Sequence, residues 1–319
     1  MWAAERGAVD QAFSAYRVGV LLKQWDSFEM TAGCIRAIRD SNTSDTVDLR
    51  FFVLDDRSVD DSPDRLISTF PDLVLVRTAV RSGFCSSFNH LAHLAITAGC
   101  THLFIINNDT RAFNSNYFAT LIAALESDRW LAAVSSVTNN FEGRPLHFRE
   151  RDWAGVPAPL ASEGYLIPSE VWVQVGGFNE RFVVYCEDLE WQERARRAGL
   201  SLRLVRECSF EHLGNGSSAT MVFAPTFYLL RNVIWIHRVR SGRRFGRQHL
   251  RQFRAKAVPL LLRAIRESVH SPSRAMRRIL AIVLAGVFGF LTSSGRAMPH
   301  DPDAFIQARR PEHWGLALD

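Results

Sequence analysis

The chain has 319 residues, 47% hydrophobic and 22% charged, an ordinary globular composition with enough apolar material for one large domain or two smaller ones. Its five cysteines are odd in number and form no C-x-x-C pair, which argues against a disulfide framework and for a reduced, cytoplasmic setting. The formal net charge of +5 points to an anionic partner without naming it. The first residues, MWAAERGAVDQAFSAY, carry acids and no apolar segment, so no signal peptide is expected. The sequons at Asn42 and Asn215 are therefore read as chance matches.

From Arg17 onward, apolar runs alternate with helical periodicity. RVGVLL is the first predicted strand, and FEMTAGCIRAIRDS a helix with Met30, Cys34, Ile35 and Ile38 on one face. DLRFFVLDD is the second strand and LVLVRT the third. SFNHLAHLAITAG is a helix stopped by Gly99. HLFIINND is the fourth strand. SNYFATLIAALES is a helix capped by Asn114 or Ser115, and LAAVSSV the fifth strand. Buried strands alternating with helices predict an α/β fold, a mainly parallel, Rossmann-like sheet with helices on both faces.

Ligands bind such sheets at the carboxyl ends of strands. Asp55, Asp56 and Asp109 all lie at predicted strand ends. No G-x-G-x-x-G or G-x-x-x-x-G-K-[ST] follows a strand, which disfavours dinucleotide-binding and P-loop enzymes. Between Phe141 and Leu160 the periodicity fails in a Gly/Pro-rich, charged loop. EDLEWQERARR then reads as a helix with acids at its start and arginines at its end, in accord with the helix dipole. Beyond Pro225 the chain becomes a basic helical tail. Its apolar run Ile279 to Leu291 is shorter than the roughly 20 residues a spanning helix needs.

Four segments in this order resemble the inverting nucleotide-sugar glycosyltransferases of family 2, which have a GT-A fold: VLDDRSVDDSP, SGFCSSFNHLAHLA, FIINNDT and GGFNERFVVYCEDLEWQERARRAGL. HLGNGSS resembles a stretch that often follows. YLLRNVIWIHRV and LAGVFGFLTSSGR resemble the rhamnosyltransferase-like branch more weakly. The resemblance runs from about Val18 to about Ser218. It implies an N-terminal extension (1–16), a GT-A catalytic domain (17–225, with a nucleotide half 17–112 and an acceptor half 113–225) and a basic helical C-terminal region (226–319).

The resemblance also implies roles. Gln24, Trp25, Asp55, Asp56, Ser58, Asn89 and Asn108 would bind the nucleotide, with Asp55 accepting from the N3–H of a uracil or thymine ring. Asp109, Asn107 and His212 would hold Mg²⁺ or Mn²⁺, a hard cation suited to oxygen donors and phosphates. Asn107 stands where the first Asp of an Asp-x-Asp motif is usual. Asp188 would be the general base, with Glu187 as the alternative, and Glu163, Gly177, Phe178 and Glu190 would meet the acceptor. The reaction implied is transfer of a hexosyl group from a UDP- or dTDP-sugar to a hydroxyl of a glycan or lipid-linked acceptor, by single displacement with inversion. It would serve polysaccharide or cell-envelope synthesis. QWD (Gln24 to Asp26) replaces the family's Thr-Tyr-Asn, Ser86 and Ser87 replace small glycines, and SEGYL replaces a Gly-Ala start. Sugar identity is therefore not carried over.

A binding protein of the same fold with weak catalysis is the alternative, raised by Asn107. A nucleic-acid partner is disfavoured, because the basic tail residues interleave with Leu, Ile and Val at helical spacing. That spacing fits either a peripheral contact with an anionic membrane on its cytoplasmic face or a tail helix packed on the catalytic domain with its arginines solvated.

Overall fold

A computed structural model describes residues 16–145, 160, 163–214, 222–241, 247–293 and 316–317. Most of the expected N-terminal extension, residues 146–159 of the long loop and the second sequon lie outside the described residues.

The nucleotide half contains β1 (Tyr16–Gln24), α1 (Phe28–Ser41), β2 (Val47–Asp55), α2 (Ser62–Thr69), β3 (Val74–Thr78), α3 (Phe84–Thr97) and β4 (His102–Ile105). Its strands run parallel in the order β3-β2-β1-β4. Successive side chains enter opposite cores. Val18, Val20, Leu22, Val53 and Phe104 join the core under α1 and α4 (Tyr117–Glu126), while Leu21, Phe52, Leu54, Leu103 and Ile105 join that under α3. Because both faces are covered, these strands read as unbroken apolar runs. Helix α3 crosses β1 so closely that a Cβ at Gly19 would lie 2.8 Å from the Cβ of Ala95.

The acceptor half adds β5 (Thr110–Arg111), α4, β6 (Leu131–Asn139), β7 (Tyr165–Pro168), α5 (Ser169–Val175), a 3₁₀ turn (Glu180–Phe182), α6 (Glu187–Arg197) and β8 (Ser201–His212). With β9 (Leu316–Ala317), the nine strands form one sheet, ordered β5-β8-β6-β7-β4-β1-β2-β3-β9. The expected α/β sheet with flanking helices is present. It is mixed rather than wholly parallel, because β7 runs antiparallel to β4 and β6, β5 antiparallel to β8, and β9 antiparallel to β3. At α4 the capping position is Asn116, in left-handed conformation with φ 57°, rather than Asn114 or Ser115. The Asn114 carboxamide oxygen instead accepts from the Ser209 backbone N–H.

Three helices follow: α7 (Phe223–Ser241), α8 (Arg247–His270) and α9 (Pro272–Ser293). They pack around Leu230, Ala257 and Ala285, with Phe227 and Phe253 beside them. The expected domain boundary at 225/226 falls inside α7. No helix among the described residues is long and apolar enough to cross a membrane.

Candidate active site

The polar end of β4 is built by strand register. Thr110 of β5 pairs with His212 of β8, so a histidine about a hundred residues away arrives beside Asp109. His212 Nε2 lies 3.0 Å from Asp109 Oδ1, and the Asp109 carbonyl accepts from Leu213 N–H at 3.0 Å. Strand β8 reaches this point through a bulge: Val205 pairs with Ser136 of β6, but the next pair is Ser209 with Val137. Glu163 stands on the other side of the imidazole, its Oε1 3.8 Å from Nδ1. Gly164 has φ +81°, and a Cβ there would sit 2.6 Å from the Phe210 ring, so only glycine brings β7 this close to β8. Burial lowers the His212 pKa, but the hydrogen bond and charge of Asp109, with Glu163, outweigh it and the net shift is upward.

The second group of acids opens α6. Glu187 is buried and its Oε2 has no hydrogen-bond partner, whereas Asp188 is partly exposed. Burial, then the Asp188 charge and that of Glu163, hold the Glu187 pKa well above its ordinary value. Glu187 thus lies buried behind the partly exposed Asp188, and it holds its proton more tightly than an ordinary carboxyl. Glu163 connects the two groups, since its charge acts on both His212 and Glu187.

The loop leading into α6 is strained. Val183, Tyr185 and Cys186 all have positive φ, at 64°, 69° and 63°. Each such non-glycine residue costs about 1–3 kcal/mol and persists only where its surroundings over-determine it. Here α7 does so. Asn232 Nδ2 donates to the carbonyls of Phe182, Val184 and Tyr185 at 2.7–2.8 Å. Arg231 donates to those of Arg181 and Phe182 at 2.7 and 3.1 Å, with its guanidinium 4.1 Å from the Trp235 ring centroid. Sequence reasoning missed this pair; its signal was two polar residues inside the otherwise apolar YLLRNVIW.

The expected nucleotide ligands are together but mostly turned inward. Asp55 is completely buried: Oδ1 accepts from Gln24 Nε2 and Ser58 Oγ, and Oδ2 from Ser58 N–H at 3.2 Å. It organises the turn after β2 and presents no exposed oxygen to a nucleobase. Asp56 is held by Lys23 and Arg81, each at 3.1 Å, and by Ser82. Asn108 donates to Ser27 and Thr31 of the α1 start at 3.0 and 2.9 Å. The partly exposed Trp25 carries the Arg81 guanidinium 3.6 Å from its ring centroid. With Arg77, half-exposed 3.5 Å from Asp55, Arg81 and Lys23 give this strand edge a positive charge the sequence reading did not single out.

The Gly-Gly-Phe segment proves to be scaffold. Arg194 engages both Glu190 oxygens and also donates to the carbonyls of Val175, Gly176 and Gly177. The Trp191 indole donates to Gly176 as well, at 2.9 Å. Phe178 is fully buried against Trp172 and Phe84, and Asn89 spends its carboxamide on Phe178 and Glu180. The expected acceptor residues Phe178 and Glu190 are thus buried in the scaffold, and the partly exposed Asn89, expected at the nucleotide, has both carboxamide atoms engaged. Of the expected acceptor-side acids, Glu163 and Asp188 are partly exposed, and the charge of each acts on Glu187.

A divalent cation fits the β4–β8 junction. Two donors about 2.1 Å from such an ion at a right angle are about 3.0 Å apart. That is the Asp109–His212 separation. The Asn107 side chain, partly exposed, has no partner among the described residues. Among the described residues, no group of three or more His, Cys, Asp or Glu could hold a metal ion.

No family model and no curated protein sequence matches the chain. Solved structures do. The mannosyltransferase PcManGT from Pyrobaculum calidifontis, solved with GDP-Man and Mn²⁺, superposes with a TM-score of 0.57 at 17% identity over 89% of this chain and 90% of that one. GalNAc-T7, solved with UDP, GalNAc and Mn²⁺, gives 0.55 at 16% identity over 79% of this chain and 51% of that one. Strand order, flanking helices and these superpositions together establish that the chain has the GT-A fold.

Proposed function

We propose that the chain is a metal-dependent glycosyltransferase that moves a hexosyl group from a UDP- or dTDP-sugar to a hydroxyl of a glycan or lipid-linked acceptor, with inversion. The observation that carries this is the Asp109–His212 pair at the end of β4, with Glu163 3.8 Å from the imidazole and its charge acting also on Glu187 at the start of α6. The neighbours of like fold were solved with sugar nucleotides or their components and Mn²⁺, which supports the reading.

Asp109 and His212, with Asn107 beside them, would hold Mg²⁺ or Mn²⁺. That ion supplies Lewis acidity toward the departing diphosphate. Trp25 offers the base an aromatic face, and Lys23, Arg77 and Arg81 offer charge to the phosphates. Asp188 accepts the proton of the acceptor hydroxyl as its oxygen bonds to the anomeric carbon. The bond from that carbon to the phosphate oxygen breaks on the opposite side, and the nucleoside diphosphate leaves with the electron pair. Glu187, buried and with its pKa held well above the ordinary value, is the poorer proton acceptor of the two.

Purified protein should turn over at least one sugar nucleotide with Mn²⁺, and NMR of the product should show the inverted anomer. EDTA and Asp109→Ala should both abolish turnover. Full activity in excess EDTA refutes the metal role, and a retained anomer refutes single displacement. Saturable donor binding without turnover against any acceptor would favour the binding-protein alternative raised by Asn107.

A further inference from the structure

The face of the C-terminal helices turned away from α7 carries an apolar stripe that is exposed among the described residues. On α9, Met276, Leu280, Val283, Val287 and Leu291 recur at spacings of three and four and are 47–68% exposed. The opposite face of the same helix is buried through Ala275, Ala281 and Ala285. On α8, Val258, Leu262, Ile265 and Val269 repeat the pattern, 48–77% exposed, opposite the buried Ala257 and Ala264. The α8 stripe continues toward the helix start as Arg251 and Arg254, both exposed. Single exposed apolar residues need no explanation, but two adjacent helices with continuous stripes do.

Charge identifies what covers them. Between 247 and 293 the chain has nine Lys and Arg and one acid, Glu267. Glu267 is already bound to Arg263 at 3.1 Å and to Arg278 at 2.9 and 3.0 Å. A contact between two copies through this face would bring the two sets of arginines together. A nucleic acid would leave the apolar stripes in water. An anionic bilayer satisfies both features, because apolar side chains enter the acyl boundary while arginines meet the headgroups.

We infer that the α8–α9 face docks on an anionic lipid surface, lying in the interface without crossing it. This inference does not rest on the transfer chemistry proposed above. It gives the contact a location, because α7 ties the docking helices to the loop before Asp188 through Arg231 and Asn232. Membrane attachment and acceptor site thus belong to one rigid connection.

Vesicle flotation of the full chain tests it. Wild type should float with vesicles containing phosphatidylglycerol, should not float with phosphatidylcholine alone, and should lose binding as salt rises. Ile265→Glu with Leu280→Glu should lower partition roughly tenfold or more, and Arg251→Glu with Arg254→Glu should do so too, since each basic residue near such a surface counts. Both pairs are exposed, and an unchanged urea midpoint verifies folding. Failure of folded wild type to float at low salt overturns the inference. So does equal flotation of both variants, or a wild-type dimer by light scattering that the apolar-to-Glu pair dissolves without any vesicle binding.

Discussion

The two halves of the sheet hold their sites in different ways. In the nucleotide half, parallel strands buried on both faces deliver Asp55, Asp56 and Asp109 to one edge, and local turns finish the work: Ser58 binds Asp55 three residues away. In the acceptor half, the decisive groups are fixed from far along the chain. His212 reaches Asp109 through register with β5, and the loop before Asp188 is held by carbonyl contacts from α7, nearly fifty residues downstream. Both halves bury apolar surface, but in the second the loop before Asp188 is held in addition by hydrogen bonds to strained backbone. Damage to the first should appear as lost stability, and damage to the second as lost turnover.

The sharpest division is expected at α6. Asp188→Asn should lower kcat about 10²–10⁴-fold while leaving the donor KM nearly unchanged, the mark of a group used only in the transition state. Glu187→Gln should retain most activity, because Asp188 is the proposed base and the buried Glu187 holds its proton more tightly than an ordinary carboxyl. The reverse outcome in steady-state kinetics would exchange the two roles. Next in size, Ile38→Ala in the buried face of α1 should destabilise the protein by about 2–5 kcal/mol, measured by urea unfolding, with kcat per folded molecule unchanged. A large kcat loss there would erase the contrast between the halves.

Asn232→Leu probes the opposite case. It leaves the carbonyls of Phe182, Val184 and Tyr185 without their donor, which costs about 1–3 kcal/mol. Its kcat should fall much further than that of Ile38→Ala although its unfolding midpoint shifts less. The smallest effect concerns pH. The folded-state pKa of Glu187 lies well above its ordinary 4.5, so the folded state holds this proton more tightly than the unfolded state. Its contribution to stability is full below the unfolded value and is lost as pH rises toward the folded one. Glu187→Gln should flatten the stability–pH curve above about pH 4.5. An unchanged slope in urea titrations across that range would mean the group is ionised in the folded protein.

The same contrast explains what could be read from the sequence. FEMTAGCIRAIRDS was legible to its ends because α1 is an isolated amphipathic period, and the apolar strands beside it have no polar face to confuse them. Strand β8 was not anticipated: SLRLVRECSFEH mixes charges with apolar residues, and its register depends on β6 rather than on its own pattern. The short β7 follows a stretch without periodicity, so only its partners define it. At the site, Asp109 and the acids of α6 were visible as residues. The inward turn of Asp55, the scaffold use of Phe178 and Glu190, and the reach of Asn232 depend on which neighbour arrives at each polar atom. No local spacing encodes that.

The bulge in β8 makes the Asp109–His212 pairing adjustable by length alone. Residues 206–208 are taken up while β6 advances by one position, and His212 lies beyond them. Each residue gained or lost there would slide the imidazole by about 3.3 Å along the strand and turn it to the other side of the sheet. A single deletion would therefore uncouple His212 from Asp109 without altering either side chain. A second indel of opposite sign would restore the pairing.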